Sequence, residues 1–256
     1  MKNMLITLTP AESKRLIAKG IIATVEFKEA FANGYVCITL GTTTSYIVEE
    51  ILEDYDKTKH VAGVVVPRGV WVTKKESRHS DAIFYKGEYM EGKKVADVLS
   101  DLGPGDMIIK GANALDADMV PLVLLASDTA GTVGSFIGAV AAKNIILVMA
   151  VGLEKCIPTR YGEMKSAFGM HDWDYAVGTP VGVMPVHVGE VFTETDALAV
   201  LFNVDSVAIA AGGVNGAEGS VTLYVVGEDE DIDAAHEFLT TQIKGEEPFP
   251  TIEDLK

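Results

Sequence analysis

Two runs of small and hydroxyl-bearing residues stand where an anion could be held. Gly41, Thr42, Thr43, Thr44 and Ser45 follow the apolar run YVCITL, and Ser127, Asp128, Thr129, Ala130, Gly131 and Thr132 follow the run that starts at Val120. A strand, such a loop and a helix N-terminus together form an anion site, because backbone N–H groups and the helix dipole meet at the loop. The hydroxyls also have a plainer use, since Ser and Thr cap helices at ~1 kcal/mol each and need bind nothing. Between the two runs, Lys110-Gly111-Ala112-Asn113 ends a third apolar run. Lys110 is either a surface terminator of its strand or a compact ammonium for a phosphate or carboxylate. Asn113 both donates and accepts, which suits a hydroxyl-bearing ligand.

Two further groups carry chemistry by composition. His171-Asp172-Trp173-Asp174 places three potential metal ligands within four residues. On a strand, however, His171 and Trp173 face away from the two aspartates, and no HxxxH or CxxC accompanies them, so a surface loop is the expected role and no metal is assigned. Arg68, Lys74, Lys75 and Arg78 are the densest positive cluster of the chain. They read as solvated surface, with a rim that captures an anion as the sharper alternative.

The elements that must position these residues follow from periodicity and punctuation. Thr9 and Pro10 open a first helix with Gly20 as its stop, and residues 25–32 form a second. A strand over 35–40 leads through the first loop into a helix carrying Tyr46, Ile47, Val48, Ile51 and Leu52 on one face. Strands are expected over 60–67 and 69–73, then a charged excursion over 74–94, a loop or hairpin set over the site, and a short helix over 95–102. The stretch 106–138 organises the rest: strand, polar turn, strand, small-residue loop, and a helix reaching about Lys143. Residues 144–151 (NIILVMAV) are continuously apolar, as a strand buried on both faces should be. Residues 161–179 read as irregular. A β-α-β-β-α order over 181–243, with a glycine-rich turn at 212–216, is most of a ferredoxin-like unit. The fold class is therefore α/β, a mostly parallel doubly wound (Rossmann-like) sheet with a smaller α+β ferredoxin-like unit. The divisions are 1–179, 180–245 and an extended or disordered tail over 246–256.

Bulk properties bound the function. The 256 residues suffice for one large α/β domain or two unequal ones, with 48% hydrophobic and 23% charged residues. A net charge of −16 disfavours a nucleic-acid partner, which needs clustered Lys and Arg. Acidic runs such as Glu228-Asp229-Glu230-Asp231 read as solvated faces. A small anionic molecule can still bind, because local donors outweigh global charge. No run is long enough for a membrane span, the charged N-terminal segment argues against a secretory signal, and Cys37 and Cys156 suggest no disulfide. A cytoplasmic protein without cofactor is expected, and assembly as a homo-oligomer is left open.

The order of the pieces resembles type A ribose-5-phosphate isomerase and, more broadly, the superfamily it shares with glucosamine-6-phosphate deaminase and the CoA transferases. Ile38 to Thr44 (ITLGTTT) resembles the isomerase phosphate loop, a GLGTGST-like run. Ile109 to Asp116 (IKGANALD) resembles its DGADEVD motif. Residues 127–143 running into 144–155 resemble its glycine loop, helix and strand that ends in a Glu-Ser-Lys-like turn. Pro180 to Pro185 (PVGVMP) resembles the PVEV-P segment opening the small domain. The likeness spans about residues 35–239. It implies that the two loops lie side by side on strands of one sheet, with Lys110 between them as the only full positive charge, and that Lys155 joins the ligand set. The departures are chemical. Lys110 and Asn113 stand where the isomerase motif has carboxylates, residues 126–131 contain no lysine, and residues 132–138 contain no carboxylate. Proton transfer between sugar carbons needs a base in reach, and only Asp128 lies nearby in sequence. A CoA transferase needs a glutamate nucleophile; Glu154 is the one candidate, against its plainer reading as a turn residue. The resemblance thus implies a retained ligand scaffold, with catalytic residues unassigned and enzyme activity open.

Overall fold

A computed structural model describes residues 1–164 and 168–256. In chain order the strands are Lys2–Leu8 (β1), Tyr35–Ile38 (β2), Gly63–Val66 (β3), Gly69–Val72 (β4), Ala82–Tyr85 (β5), Glu88–Tyr89 (β6), Met107–Gly111 (β7), Ala114–Leu115 (β8), Pro121–Leu125 (β9), Ile146–Ala150 (β10), Gly182–Pro185 (β11), Glu190–Phe192 (β12), Asp205–Ala211 (β13) and Val221–Gly227 (β14). The helices are Pro10–Ala23 (α1), Val25–Asn33 (α2), Thr42–Ile51 (α3), Val95–Val98 (α4), Gly131–Lys143 (α5), Tyr161–Met164 (α6), Glu194–Phe202 (α7) and Asp229–Phe238 (α8).

The protein is α/β, built on a mixed six-stranded sheet in the order β12-β10-β7-β2-β5-β6. β12, β10, β7 and β2 run parallel, and β5 and β6 are antiparallel additions beside β2. Strand alternation sends side chains to two cores. Val36, Ile38, Met107, Ile109, Val148 and Ala150 pack with α1, α2 and α3 through Ile17, Phe27 and Ile47. Cys37, Ile108, Leu147 and Met149 pack with α4 and α5 through Val98, Val133, Phe136 and Val140. Burial on both faces explains why these strands are uninterruptedly apolar.

Three strand expectations are corrected. β9 is not in the large sheet; it pairs antiparallel with β8 and β11 in a three-stranded sheet of its own. Only residues 112–120 separate β7 from β9, too few for the crossover a parallel neighbour requires. Instead Asp116 Oδ1 accepts from the N–H groups of Asp118 and Val120 at 2.8 and 2.9 Å and turns the chain back. The 74–94 excursion does hold a hairpin, β5 and β6 joined by a two-residue turn at Lys86 and Gly87, both at positive φ, but instead of standing free over the site it extends the large sheet beside β2. The third correction concerns 180–192, expected to open the small unit. β11 pairs with β9, and β12 lies in the large sheet. The small sheet, β1-β14-β13, is wholly antiparallel and takes β1 from the start of the chain. α7 and α8 pack against it through Leu198 and Ile232.

Residues 246–256 carry no helix or long strand but are tied down. Glu246 is held by Arg15 at 2.9 Å, Phe249 packs on Tyr46, and the Lys256 N–H donates to Val72 O at 2.9 Å. Among the described residues no helix is long and apolar enough to cross a membrane.

Helix α1 begins as expected, with a capping box between Thr9 and Glu12, but it does not stop at Gly20. Gly20 lies inside the helix, and a Cβ there would stand 2.6 Å from Ala197 Cβ and 2.7 Å from Ala197 Cα on α7. The glycine lets two helices approach closely. This reverses the usual sign of a helical Gly→Ala change: propensity alone would stabilise by ~1 kcal/mol, whereas overpacking costs ~1–3 kcal/mol. Gly20→Ala is expected to lower the urea midpoint of unfolding; a raised midpoint would refute close α1–α7 packing.

Candidate functional site

A cavity of about 1030 Å³ opens where β2, β7 and β9 end. It gathers all the residues expected to bind a ligand except one: Gly41, Thr42, Thr43, Lys110, Gly111, Asn113, Asp128, Thr129, Gly131, Thr132 and Lys155 line it. Thr44 does not. It is fully buried, with its hydroxyl donating to Thr39 O at 2.7 Å and Gly41 O at 3.0 Å. The two loops therefore meet at one cavity, although their strands belong to different sheets.

Both loops open helices that lack side-chain caps. Thr9, Thr24 and Thr193 cap α1, α2 and α7, while among the described residues no side-chain cap serves α3 or α5, nor α8 away from the cavity. At α5 the chain enters through left-handed Ala130 and Gly131. Gly134 is needed in that first turn, since a Cβ there would lie 2.1 Å from Thr129 O. At α3 the turn is set by a buried histidine that sequence reading passed over. His60 Nε2 lies 3.1 Å from Thr39 O, its Nδ1 lies 2.8 Å from Tyr55 Oη, and its carbonyl accepts from the Gly41 N–H at 2.8 Å. A carbonyl only accepts, so Nε2 carries the proton and Nδ1 accepts from Tyr55. Burial lowers the His60 pKa to about 3, keeping the ring neutral. The Thr43 hydroxyl, buried at the cavity wall, has no hydrogen-bond partner among the described residues.

The charge lining is one-sided. Lys75, Arg78, Lys110, Lys155 and Lys256 face the cavity, against Asp128 as the one lining Asp or Glu among the described residues. Lys110 is thus not the only full positive charge, which corrects the sequence expectation. Of the four residues of the positive cluster, Lys75 and Arg78 line the cavity, and Arg68 and Lys74 lie off it. The Lys110 amine makes no hydrogen bond or ion pair among the described residues. Burial lowers its pKa to about 8, partly opposed by the charge of Asp81. Asp81 is itself buried, accepts from the N–H groups of Leu40 and Val95 at 3.3 and 3.1 Å, and has its pKa raised by burial. The Lys155 amine donates to Ala112 O at 2.9 Å. Burial, then the neighbouring charges of Lys14 and Lys110, lower its pKa to about 8 as well. Asn113, which lines the cavity, accepts at Oδ1 from the Leu124 N–H at 2.9 Å and so ties β9 to the end of β7.

Other candidates go elsewhere. Glu154 does not line the cavity; its carboxylate is ion-paired with Lys14 at 2.8 Å. The His171–Asp174 run diverges, His171 meeting Asp128 at 2.5 Å, Asp172 accepting from the Gly169 N–H, and Trp173 donating to Val181 O at 2.8 Å. Lys165, Ser166 and Ala167, within the stretch read as irregular, lie outside the described residues.

Set against protein-family models, curated proteins and solved structures, the chain matches none.

The lowered Lys110 pKa makes a signed stability prediction. Between about pH 8 and 10.5 the unfolded chain still holds a proton that the folded Lys110 has lost, so this group's contribution to stability rises with pH. Below pH 8 the half-buried ammonium is a cost on the order of 1–3 kcal/mol. Lys110→Met should therefore be more stable than the parent at pH 7, with the difference shrinking toward pH 10.5. Paired urea titrations at the two pH values test this, and a difference that is flat or widens with pH would contradict it.

Proposed function

We propose that the chain is a binding protein or sensor for a small anionic metabolite, a sugar phosphate or similar, held where the N-termini of α3 and α5 converge. The observation that carries this reading is Lys110: a cation at the end of a buried strand, without a partner among the described residues, lining a cavity whose other charges are mostly positive. Two uncapped helix starts and the unpartnered Thr43 hydroxyl add donors of the kind a phosphate or carboxylate takes. We read the large sheet, with helices on both faces, as doubly wound and Rossmann-like. The adjacency of β2, β7 and β10 in that sheet supports the resemblance to the sugar-phosphate isomerase superfamily.

A second reading, an enzyme of that superfamily with altered chemistry, is favoured by one observation. Lys110 and Lys155 titrate near 8, so part of each is a neutral amine near neutral pH and able to take a proton. Turnover decides between the two.

Thermal stability with ribose 5-phosphate, inorganic phosphate and simple carboxylates separates the outcomes. A ligand at 100 times its Kd should add ~2.7 kcal/mol. Binding without consumption supports the sensor; consumption supports the enzyme; no shift with any anion removes both. Removal of the Lys110 charge takes away a contact worth ~1.5–3 kcal/mol, so Lys110→Met should weaken the anion about tenfold or more by calorimetry.

A further inference from the structure

The cavity is larger than a sugar phosphate requires, and it contains more than charge. Its volume of about 1030 Å³ lies at the upper end of small-molecule sites. Beyond the loops and lysines, the β3–β4 hairpin presents Val64, Val70 and Trp71 to it, with Met170 and Val181 from the chain leading into β11. The hairpin is held in place by backbone: Val70 O accepts from the Thr179 N–H at 2.7 Å. Trp71 is fixed twice over. Its indole N–H donates to Arg68 O at 3.1 Å, and the Arg68 guanidinium lies 5.1 Å from the ring centre. Trp71 lines the cavity and Arg68 does not, so the guanidinium on the ring stands outside it. A rigid indole spends little conformational entropy on a planar ligand, and its π-face accepts one without a hydrogen-bond code.

Building on the anion reading above, we infer that the ligand is an anion carrying a flat heteroaromatic ring, of the nucleoside phosphate class, with its phosphate between Lys110 and the helix starts and its ring against Trp71. The apolar hairpin then has an occupant, and the volume that a sugar phosphate leaves empty is filled. Arg78 and Lys75, at the same cavity, stand ready for further phosphate oxygens. Arg78 has no carboxylate within salt-bridge distance among the described residues; its only described partner is the Thr73 hydroxyl at 3.4 Å.

Calorimetry with AMP, ribose 5-phosphate and inorganic phosphate tests this on the full chain. AMP should bind tighter than ribose 5-phosphate by roughly fivefold to a hundredfold, the worth of one stacked base. Trp71→Leu should remove that advantage and leave ribose 5-phosphate unchanged, while Trp71→Phe should retain part of it. Because Trp71 and Trp173 are the only tryptophans, Trp173→Phe leaves a single tryptophan whose emission, excited at 295 nm, AMP should quench and inorganic phosphate should not. Equal affinity for AMP and ribose 5-phosphate overturns this inference and leaves the anion site standing. So does a Trp71→Leu variant, folded by its melting transition, that weakens both ligands alike. Failure of all three anions to bind overturns the anion site and this inference with it.

Discussion

A lysine placed in a sheet buried on both faces sets the terms for this molecule. Lys110 is the next-to-last residue of β7, the strand between β10 and β2, where desolvation disfavours a charge and usually demands a partner. Elsewhere the chain supplies such partners freely. Lys14 pairs with Glu154, Arg15 with Glu49, Glu50 and Glu246, and Lys244 with Glu12. With 37 acidic residues against 21 basic ones, an unpaired amine at the cavity is not a shortage of carboxylates. Asp81 approaches closely enough to be felt but is occupied by two backbone N–H groups. Lys155 adds a second charge that Lys110 repels. The charges lining the cavity are mostly positive, in a protein that is strongly negative, and we propose that an anion relieves them.

The rest of the fold serves to leave that corner open. β9 turns back instead of joining the large sheet, so its loop reaches the ends of β2 and β7 from a separate layer. The β3–β4 hairpin contributes an apolar side, and the last residues of the chain pair along β4 and bring Lys256 to the same cavity. His60 and Gly134 are the local devices: one sets the turn before α3, and the other lets the loop before α5 fold onto its first helical turn. The loops are thus positioned by buried, uncharged contacts.

Local signals were legible in the sequence, and long-range ones were not. Thr9-Pro10 announced α1, the run 144–151 announced a strand buried on both faces, and the loop compositions pointed to the residues that meet at the cavity. Gly20 misled because a helix stop and a close helix–helix approach call for the same residue, and only the neighbour at Ala197 separates them. β5 was hidden because its four apolar residues are flanked by charged segments and its turn is Lys-Gly, a weak hairpin signal. β1 in the small sheet joins residues more than 210 positions apart, which no window of periodicity reports. Asp81, His60 and Trp71 carried no motif; their importance lies in which backbone and side-chain groups the fold sets beside them.

The central claim is that Lys110 is a half-buried, unpaired amine that we propose takes an anion, and its own titration tests that most directly. In protein labelled with ¹³C at lysine side chains, the Lys110 resonance, assigned by its loss in Lys110→Met, should titrate with a midpoint near 8 in the free protein. Saturating phosphate or AMP should move the midpoint upward, toward the ordinary lysine range, as the bound anion favours the charged form. A midpoint near 10.5 without ligand, or one that no anion displaces, would contradict the account.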